Sequence, residues 1–417
     1  MAHFRGTAGT SSLRSAVEVD VMSGEPKVLL NAASISVGGG IQSAVSFIRH
    51  VLDRETGLRW HFVLSRPVAT QLTRCGISID ALGADVLDGP PARDRRARRA
   101  LRHIENRLRP AVVFTFFGPA YVRFRSPHLC GVADGWVTHA TPLAYATLGG
   151  VGRAMRVFLL CLYKGLWYRA ADHWLVEAES ARQGLSRRFA IPADRIAVIA
   201  NSCAAHYREA CNVSPLLEPG ERFRLLAFAA YYPHKNLEIV PEVAACLKRA
   251  GLGRQMEFVL TLRHEEPALA RIQARARELD VPDMINNIGP VDIIDGPRLY
   301  RSCHTAFIPT VLETFSAAYP EAMAMGLPII TTDLDFARTI CGPAAIYYRP
   351  KDAGSAAEAI HSVYSRADLR DRLVEEGARR LAMLPTAAAR NDAIVDLIRR
   401  MLPQDPARQR PQEARRQ

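Results

Sequence analysis

A chain of 417 residues, 48% of them hydrophobic, is too long for one ordinary core and apolar enough for two, so two domains are expected. The 54 Lys and Arg against 42 Asp and Glu leave a formal charge of +12, which favours an anionic partner: a phospholipid surface, nucleic acid or a pyrophosphate-linked substrate. Eight scattered cysteines, with no C-x-x-C pair and no histidine cluster at metal spacing, argue against a disulfide framework or a zinc site and read as reduced, mostly buried thiols of a cytosolic protein.

Residues 1–25 mix Gly, Ser, Arg and acidic side chains without an apolar run, so they are expected to be a disordered tail and not a cleavable signal peptide. An N-terminal domain is expected over residues 26–205. Its strand candidates are KVLLNAA from Lys27, RWHFVLS from Arg59, AVVFTFF from Ala111, HLCGVAD from His128, DHWLVEA from Asp172 and RIAVIAN from Arg195. Short apolar runs alternating with helical patterns imply parallel sheets covered on both faces by helices, an α/β fold class of doubly wound domains. In such sheets ligands bind beyond the carboxyl ends of the strands, so the loops after strands are where chemistry belongs.

The first of these loops carries Gly38, Gly39 and Gly40 ahead of a helix with Ile41, Val45, Ile48 and Leu52 on one face. Consecutive glycines let a backbone approach a phosphate or sugar closely. They also make an ordinary connector, and neither G-x-G-x-x-G nor the Walker lysine is present. Further on, residues 92–110 hold eight arginines. That run reads either as a solvated helix face or as a patch for an anionic membrane surface through the 93–109 region. No recognition motif accompanies it, so no nucleic-acid partner is expected. The apolar stretch 157–168 is much shorter than the roughly 20 residues of a spanning helix and is interrupted by Lys164, so it does not cross a bilayer.

Pro215, Pro219 and Gly220 break any regular pattern in 206–222, the expected linker. A C-terminal domain is expected over 223–386, with strand candidates RLLAFAA from Arg224, EFVLTLR from Glu257, HTAFIPT from His304, PIITTD from Pro328 and AIYYRP from Ala345. After the first of these strands, Lys235 sits just before a helix, flanked by His234 and Asn236. A lysine there is a point charge for a diphosphate, or a solvent-exposed turn residue. The segment VLETFSAAYPEAMAMGLPIITTD, from Val311, places Glu313 and Glu321 with seven residues between them. One continuous helix would separate the two by about 12 Å of rise, too far to share one ligand group. Pro320 is tolerated in the first turn of a helix beginning near Ser316, which leaves Glu313 in the loop and Glu321 in the helix. The two carboxylates then contact different parts of one extended ligand, with the amides of Phe315, Ser316 and Ala317 between them facing its phosphates; the bland alternative is a solvated acidic pair. The D-x-D pattern of Asp333 and Asp335 has no partner ligands in view and reads as a loop, so no metal is expected. Residues 355–383 and 387–402 read as amphipathic helices, and 403–417 as a disordered tail.

Taken together, ETFSAAYPE followed by AMAMGLPII, the VGGGIQ loop, the PHKN turn and AVIANS at the domain junction resemble the retaining glycosyltransferases of family 4, with a GT-B fold of two Rossmann-like domains facing across a cleft. The resemblance spans about Lys27 to Leu402 in element order. It implies a nucleoside-diphosphate sugar as co-substrate, no cofactor, and a glycan or lipid-linked acceptor. By position, Lys235 would hold the donor diphosphate, Glu321 the ribose and Glu313 the transferred sugar. Phe315, Ser316 and Ala317 would contribute backbone donors, and Gly39 and Gly40 would close from the opposite domain. His139 resembles the family's histidine beside the reacting sugar, and the helix near 387–402 would pack back on the N-terminal domain. Where many members carry an arginine five residues before the lysine, this chain has Ala230; Arg263 is a candidate for the missing cation.

The expectation is therefore a metal-independent hexosyltransferase of polysaccharide biosynthesis, cytoplasmic and peripheral at the inner face of the membrane. Its alternatives are a sugar-nucleotide epimerase or phosphorylase of the same fold, a donor-binding protein without turnover, or a nucleic-acid-binding protein.

Overall fold

The computed structural model describes residues 24–36, 38–210 and 222–403. The tail expected at 1–25 is outside the described residues apart from 24 and 25, as are nearly all of the tail expected at 403–417 and residues 211–221 of the expected linker.

Seven parallel strands make the first sheet: β1 (Lys27–Ala32), β2 (Arg59–Ser65), β3 (Asp85–Leu87), β4 (Val112–Thr115), β5 (His128–Val132), β6 (His173–Val176) and β7 (Ile196–Val198), in the order β3-β2-β1-β4-β5-β6-β7. Six more make the second: β8 (Phe223–Ala227), β9 (Met256–Leu260), β10 (Ile285–Asn287), β11 (Thr305–Ile308), β12 (Ile329–Thr332) and β13 (Ala345–Tyr348), in the order β10-β9-β8-β11-β12-β13. Alternate residues of one strand feed opposite cores. In the first sheet Leu30, Phe62 and Phe114 pack on one face, and Leu29, Val63 and Val113 on the other. In the second, Leu225, Phe258 and Phe307 oppose Leu226, Val259 and Ala306. Helices cover both faces, which is why these strands read as unbroken apolar runs.

Three features differ from the sequence expectation. The edge strands β3 and β10, three residues each, are absent from it, because neither carries an apolar run. The helical pattern at 355–383 is two helices, Ala353–Ser365 and Ala367–Met383, parted at Arg366, whose backbone is extended. The expected linker starts as a helix, Ala205–Glu209, seated on the C-terminal domain: Tyr207 meets Tyr300 edge-on at 5.7 Å, and the Arg208 guanidinium donates to the carbonyls of Leu381, Leu384 and Pro385.

Helix Ala387–Met401 crosses back to the N-terminal domain. Ile394, Val395 and Ile398 join the core of the first sheet, and His50 meets Asp392 at 2.8 Å. The same helix inserts Arg390 into the domain boundary, 5% exposed, with its guanidinium 3.8 Å from the Glu177 carboxylate just past β6 and 5.8 Å from the centroid of the Phe116 ring. From the other domain Thr314 Oγ1 donates to the second Glu177 oxygen at 3.4 Å. Glu177 thus joins both domains and the returning helix in one buried polar knot.

Burial pushes the Glu177 carboxyl up to about 7, against the opposing pull of Arg390. A carboxyl raised in the folded state adds stability at pH below its unfolded value, and that contribution is lost as pH rises through about 7. The melting temperature should therefore fall between about pH 4.5 and about pH 7, and Glu177→Gln should flatten part of that fall. Identical pH dependence in the two proteins, followed by circular dichroism, would show that Glu177 titrates normally.

Candidate active site

Strand order reverses between β8 and β11, and the loops leaving these neighbours carry the residues singled out in the C-terminal half. The loop after β8 is fastened to the loop after β11. Val311 N–H and Thr310 Oγ1 donate to the His234 carbonyl at 2.8 and 3.1 Å, and Asn236 Nδ2 donates to the Pro309 carbonyl at 3.3 Å. Asn236 holds φ 54, a left-handed conformation that asparagine tolerates and that turns the chain into the next helix. Lys235 is thereby aimed across the gap, and its Nζ forms an ion pair with the Glu313 carboxylate. Both side chains keep less than a fifth of their surface in solvent.

Helix Ala318–Ala324 begins close to the start the sequence suggests: Ala317 already has helical backbone angles, and Tyr319 N–H donates to the Ser316 carbonyl at 3.3 Å. Pro320 still falls in the first turn. The backbone N–H groups of Phe315, Ser316 and Ala317 donate to no protein acceptor among the described residues. Glu321 points back under this turn and accepts from Tyr300 Oη at 3.2 Å. Burial raises its carboxyl to about 7, with Tyr300 and the nearby Lys235 charge pulling the other way. Glu313 and Glu321 therefore have separate partners and do not form an acid–base pair.

His139 reaches the site from the N-terminal domain and spans the interface. Its Nε2 lies 2.7 Å from the Glu313 carbonyl, and its Nδ1 lies 2.8 Å from Thr138 Oγ1. A carbonyl only accepts, so Nε2 carries a proton. Burial lowers the imidazole's affinity for a second proton, and Thr138 Oγ1 also donates to the Asp134 carbonyl at 3.1 Å. Beside it Gly135 packs against Leu312, where an added Cβ would stand 3.1 Å from Leu312 Cγ. The Trp136 ring meets His234 edge-on at 5.9 Å.

Gly39 and Gly40 open helix Gly39–Leu52 behind Gly38, whose φ of 63 favours glycine. They stand beyond the carboxyl end of β1, and among the described residues no hydrogen bond joins them to the C-terminal loops. Ala230 is exposed. The β8–β9 pairing ends at Ala227 with Leu260, and Arg263 lies exposed three residues beyond it. Thr261 Oγ1, 3.3 Å from the Ala229 N–H, keeps these two chain ends together. The guanidinium of Arg338 binds the Asp333 carboxylate through two nitrogens, and Asp335 opens helix Asp335–Cys341. Among the described residues no cluster of three or more His, Cys, Asp or Glu is placed to hold a metal. Sequence reasoning missed Glu177 and Tyr300; the position of Glu177 just past a strand's carboxyl end was the one available signal.

The family described as glycosyl transferases group 1 matches residues 212–380. The O-antigen chain mannosyltransferase RfbU of Salmonella typhimurium is 22% identical over 212 residues, covering 51% of this chain and 56% of that protein, so the match spans little more than half of the relative. Among solved structures, a glycosyltransferase from Rickettsia africae superposes with TM-score 0.68 at 14% identity, covering 92% of this chain and 100% of the other. HepE of Anabaena, solved with UDP and glucose, superposes with TM-score 0.66 at 14% identity, covering 90% of this chain and 99% of the other. WaaG, a glycosyltransferase involved in lipopolysaccharide biosynthesis, gives 0.63 at 12% identity, covering 89% and 99%. Residues 212–380 thus match the group 1 glycosyl transferases, and the chain has the GT-B fold.

Proposed function

We propose that this chain is a retaining, family 4 type glycosyltransferase that moves a hexosyl group from a nucleoside-diphosphate sugar to a hydroxyl of a glycan or lipid-linked acceptor in cell-surface polysaccharide biosynthesis. The observation that carries the reading is the convergence of Lys235, three unpaired amides and two separately held glutamates on neighbouring loops at the strand-order reversal. The roles of the relatives support the same reading: O-antigen chain mannosyl transfer for RfbU, lipopolysaccharide biosynthesis for WaaG, and UDP with glucose bound to HepE.

In this reading the donor diphosphate takes the place of Glu313 as the partner of Lys235 and receives the N–H groups of Phe315, Ser316 and Ala317. Glu313, released from the lysine, turns to the sugar. Glu321 meets the ribose, and Gly39 and Gly40 approach from the opposite domain. Rate acceleration comes from stabilising the departing diphosphate and aligning the acceptor; no enzyme nucleophile is invoked. Lys235, Arg263 and the amides supply positive charge, so the reaction is written without a metal or other cofactor. The neutral Nε2–H of His139 is a donor that can pass from the Glu313 carbonyl to a sugar oxygen when the loop moves. The basic 93–109 surface is assigned to an anionic membrane at the cytoplasmic face, where a lipid-linked acceptor is presented.

Exposed Ala230 in place of the family arginine favours a second reading, a donor-binding protein with little turnover. Nucleoside diphosphate release from a panel of nucleotide sugars separates the two. For the enzyme, Lys235→Ala and Glu321→Ala each reduce release by roughly a hundredfold or more with unchanged circular dichroism, and wild-type rates in either would refute the site assignment. Arg263→Ala should raise the donor KM about tenfold if Arg263 supplies the missing cation. Unchanged kinetics in that variant would return the role to another residue.

A further inference from the structure

The 18-residue helix Val151–Tyr168 is inside out for a helix on a water-facing surface. It buries only Cys161, Gly165 and Tyr168. At about 100° per residue, Val151, Met155, Leu159, Leu162 and Leu166 fall within roughly 80° of one another on its outer side. These five side chains are 44% to 85% exposed. Eight of the fifteen large hydrophobics exposed among the described residues lie on this helix, and the other seven are spread over the rest of the molecule. A continuous apolar stripe of this kind marks an interaction surface. No helix among the described residues is long and apolar enough to cross a membrane, so the stripe suits an element that lies flat in an interface.

Charge identifies the occupant. Arg156 borders one side of the stripe and Arg169 follows its end, both exposed. The guanidinium of Arg98 lies 5.8 Å from the Trp167 ring and 5.9 Å from the Tyr121 ring, which joins the apolar helix to helix Arg95–Leu108. On that second helix Arg95, Arg96, Arg99 and Arg102 are exposed and form no ion pair with any described residue. A second copy of the chain docked on this face would set arginines against arginines. Anionic phospholipid offers head-group phosphates for the guanidinium groups and acyl chains for the leucines.

We propose that helix Val151–Tyr168 is a membrane-interface element whose leucine stripe enters the acyl boundary of an anionic bilayer while the surrounding arginines hold lipid phosphates. It deepens the membrane part of the reading above, naming the inserting element, and does not depend on the transfer chemistry. Lys164 donates to Asp134 at 2.7 Å, and Asp134 caps the turn Gly135–Thr138 that leads to His139. The helix is thus braced on the segment that forms the N-terminal wall of the cleft, and a lipid-borne acceptor would arrive beside it.

Sedimentation with phosphatidylcholine vesicles, with and without about 30% phosphatidylglycerol, tests the assignment. Wild-type protein should pellet with the anionic vesicles, and Leu159→Asp/Leu166→Asp should weaken binding by roughly tenfold or more. The substituted side chains are exposed, so the thermal melt and nucleoside diphosphate release in the absence of vesicles should not change. Undiminished vesicle binding by the double variant would overturn the proposal. So would a wild-type dimer in light scattering that the double substitution converts to monomer, with neither protein binding vesicles, because the stripe would then be a self-association face. Loss of nucleoside diphosphate release by Lys235→Ala with vesicle binding retained would leave this proposal standing apart from the donor reading.

Discussion

One loop, residues 309–317, is pinned from three directions, and the arrangement of the cleft depends on it. The C-terminal sheet holds its root, where Thr332 Oγ1 donates to the Thr310 carbonyl at 2.6 Å and Thr331 Oγ1 to the Ile308 carbonyl at 2.9 Å. The neighbouring turn holds its middle through the His234 carbonyl. The opposite domain holds its tip through His139 and Glu177. A loop tied only to its own domain would let Glu313 sample many rotamers. Tied to both, it sets the distance across the cleft and the direction of the amides that follow.

The polar knot around Glu177 shows what this fixation costs. A carboxylate and a guanidinium buried together lose more hydration than their attraction returns unless the remaining polar atoms are satisfied. Here the pair is loose, and Glu177 Oε1 and Arg390 Nε lack hydrogen-bond partners. Such a contact is poorly suited to maximising stability. Arg390 and Glu177 both sit on the N-terminal side, so only the long bond from Thr314 to Glu177 crosses to the other domain. The Lys235–Glu313 pair has the same character: it holds both groups in position and is replaceable by a ligand carrying a stronger anion.

The sheet order could be anticipated because parallel strands covered on both faces must be apolar along their whole length, and eleven of the strand positions carry that mark in the sequence. The edge strands β3 and β10 have only one neighbour and partial exposure, so their short sequences carry no such mark. In the site, Pro320 restricts where a helix can start and so separates the roles of the two glutamates within the sequence itself. The tie from Thr314 to Glu177, a residue 137 positions away, was hidden. The same holds for Tyr300 under Glu321 and for the engagement of His139 with a backbone carbonyl: each contact joins segments whose proximity only the folded sheets create.

The apolar helix and the arginine helix show how one composition carries two meanings. Taken singly, the segment 157–168 is too short to span a bilayer, and the arginine run is compatible with any solvated helix face. Their contact through Arg98 and Trp167 removes much of that freedom, because a large exposed apolar stripe beside unpaired cations is a poor surface for water and a poor match for another copy of itself. The brace from Lys164 to Asp134 then connects that surface to the cleft wall carrying His139. On the proposed reading, this arrangement would bring the cleft to the plane where a lipid-borne acceptor is held, and acceptor capture would become a search in two dimensions.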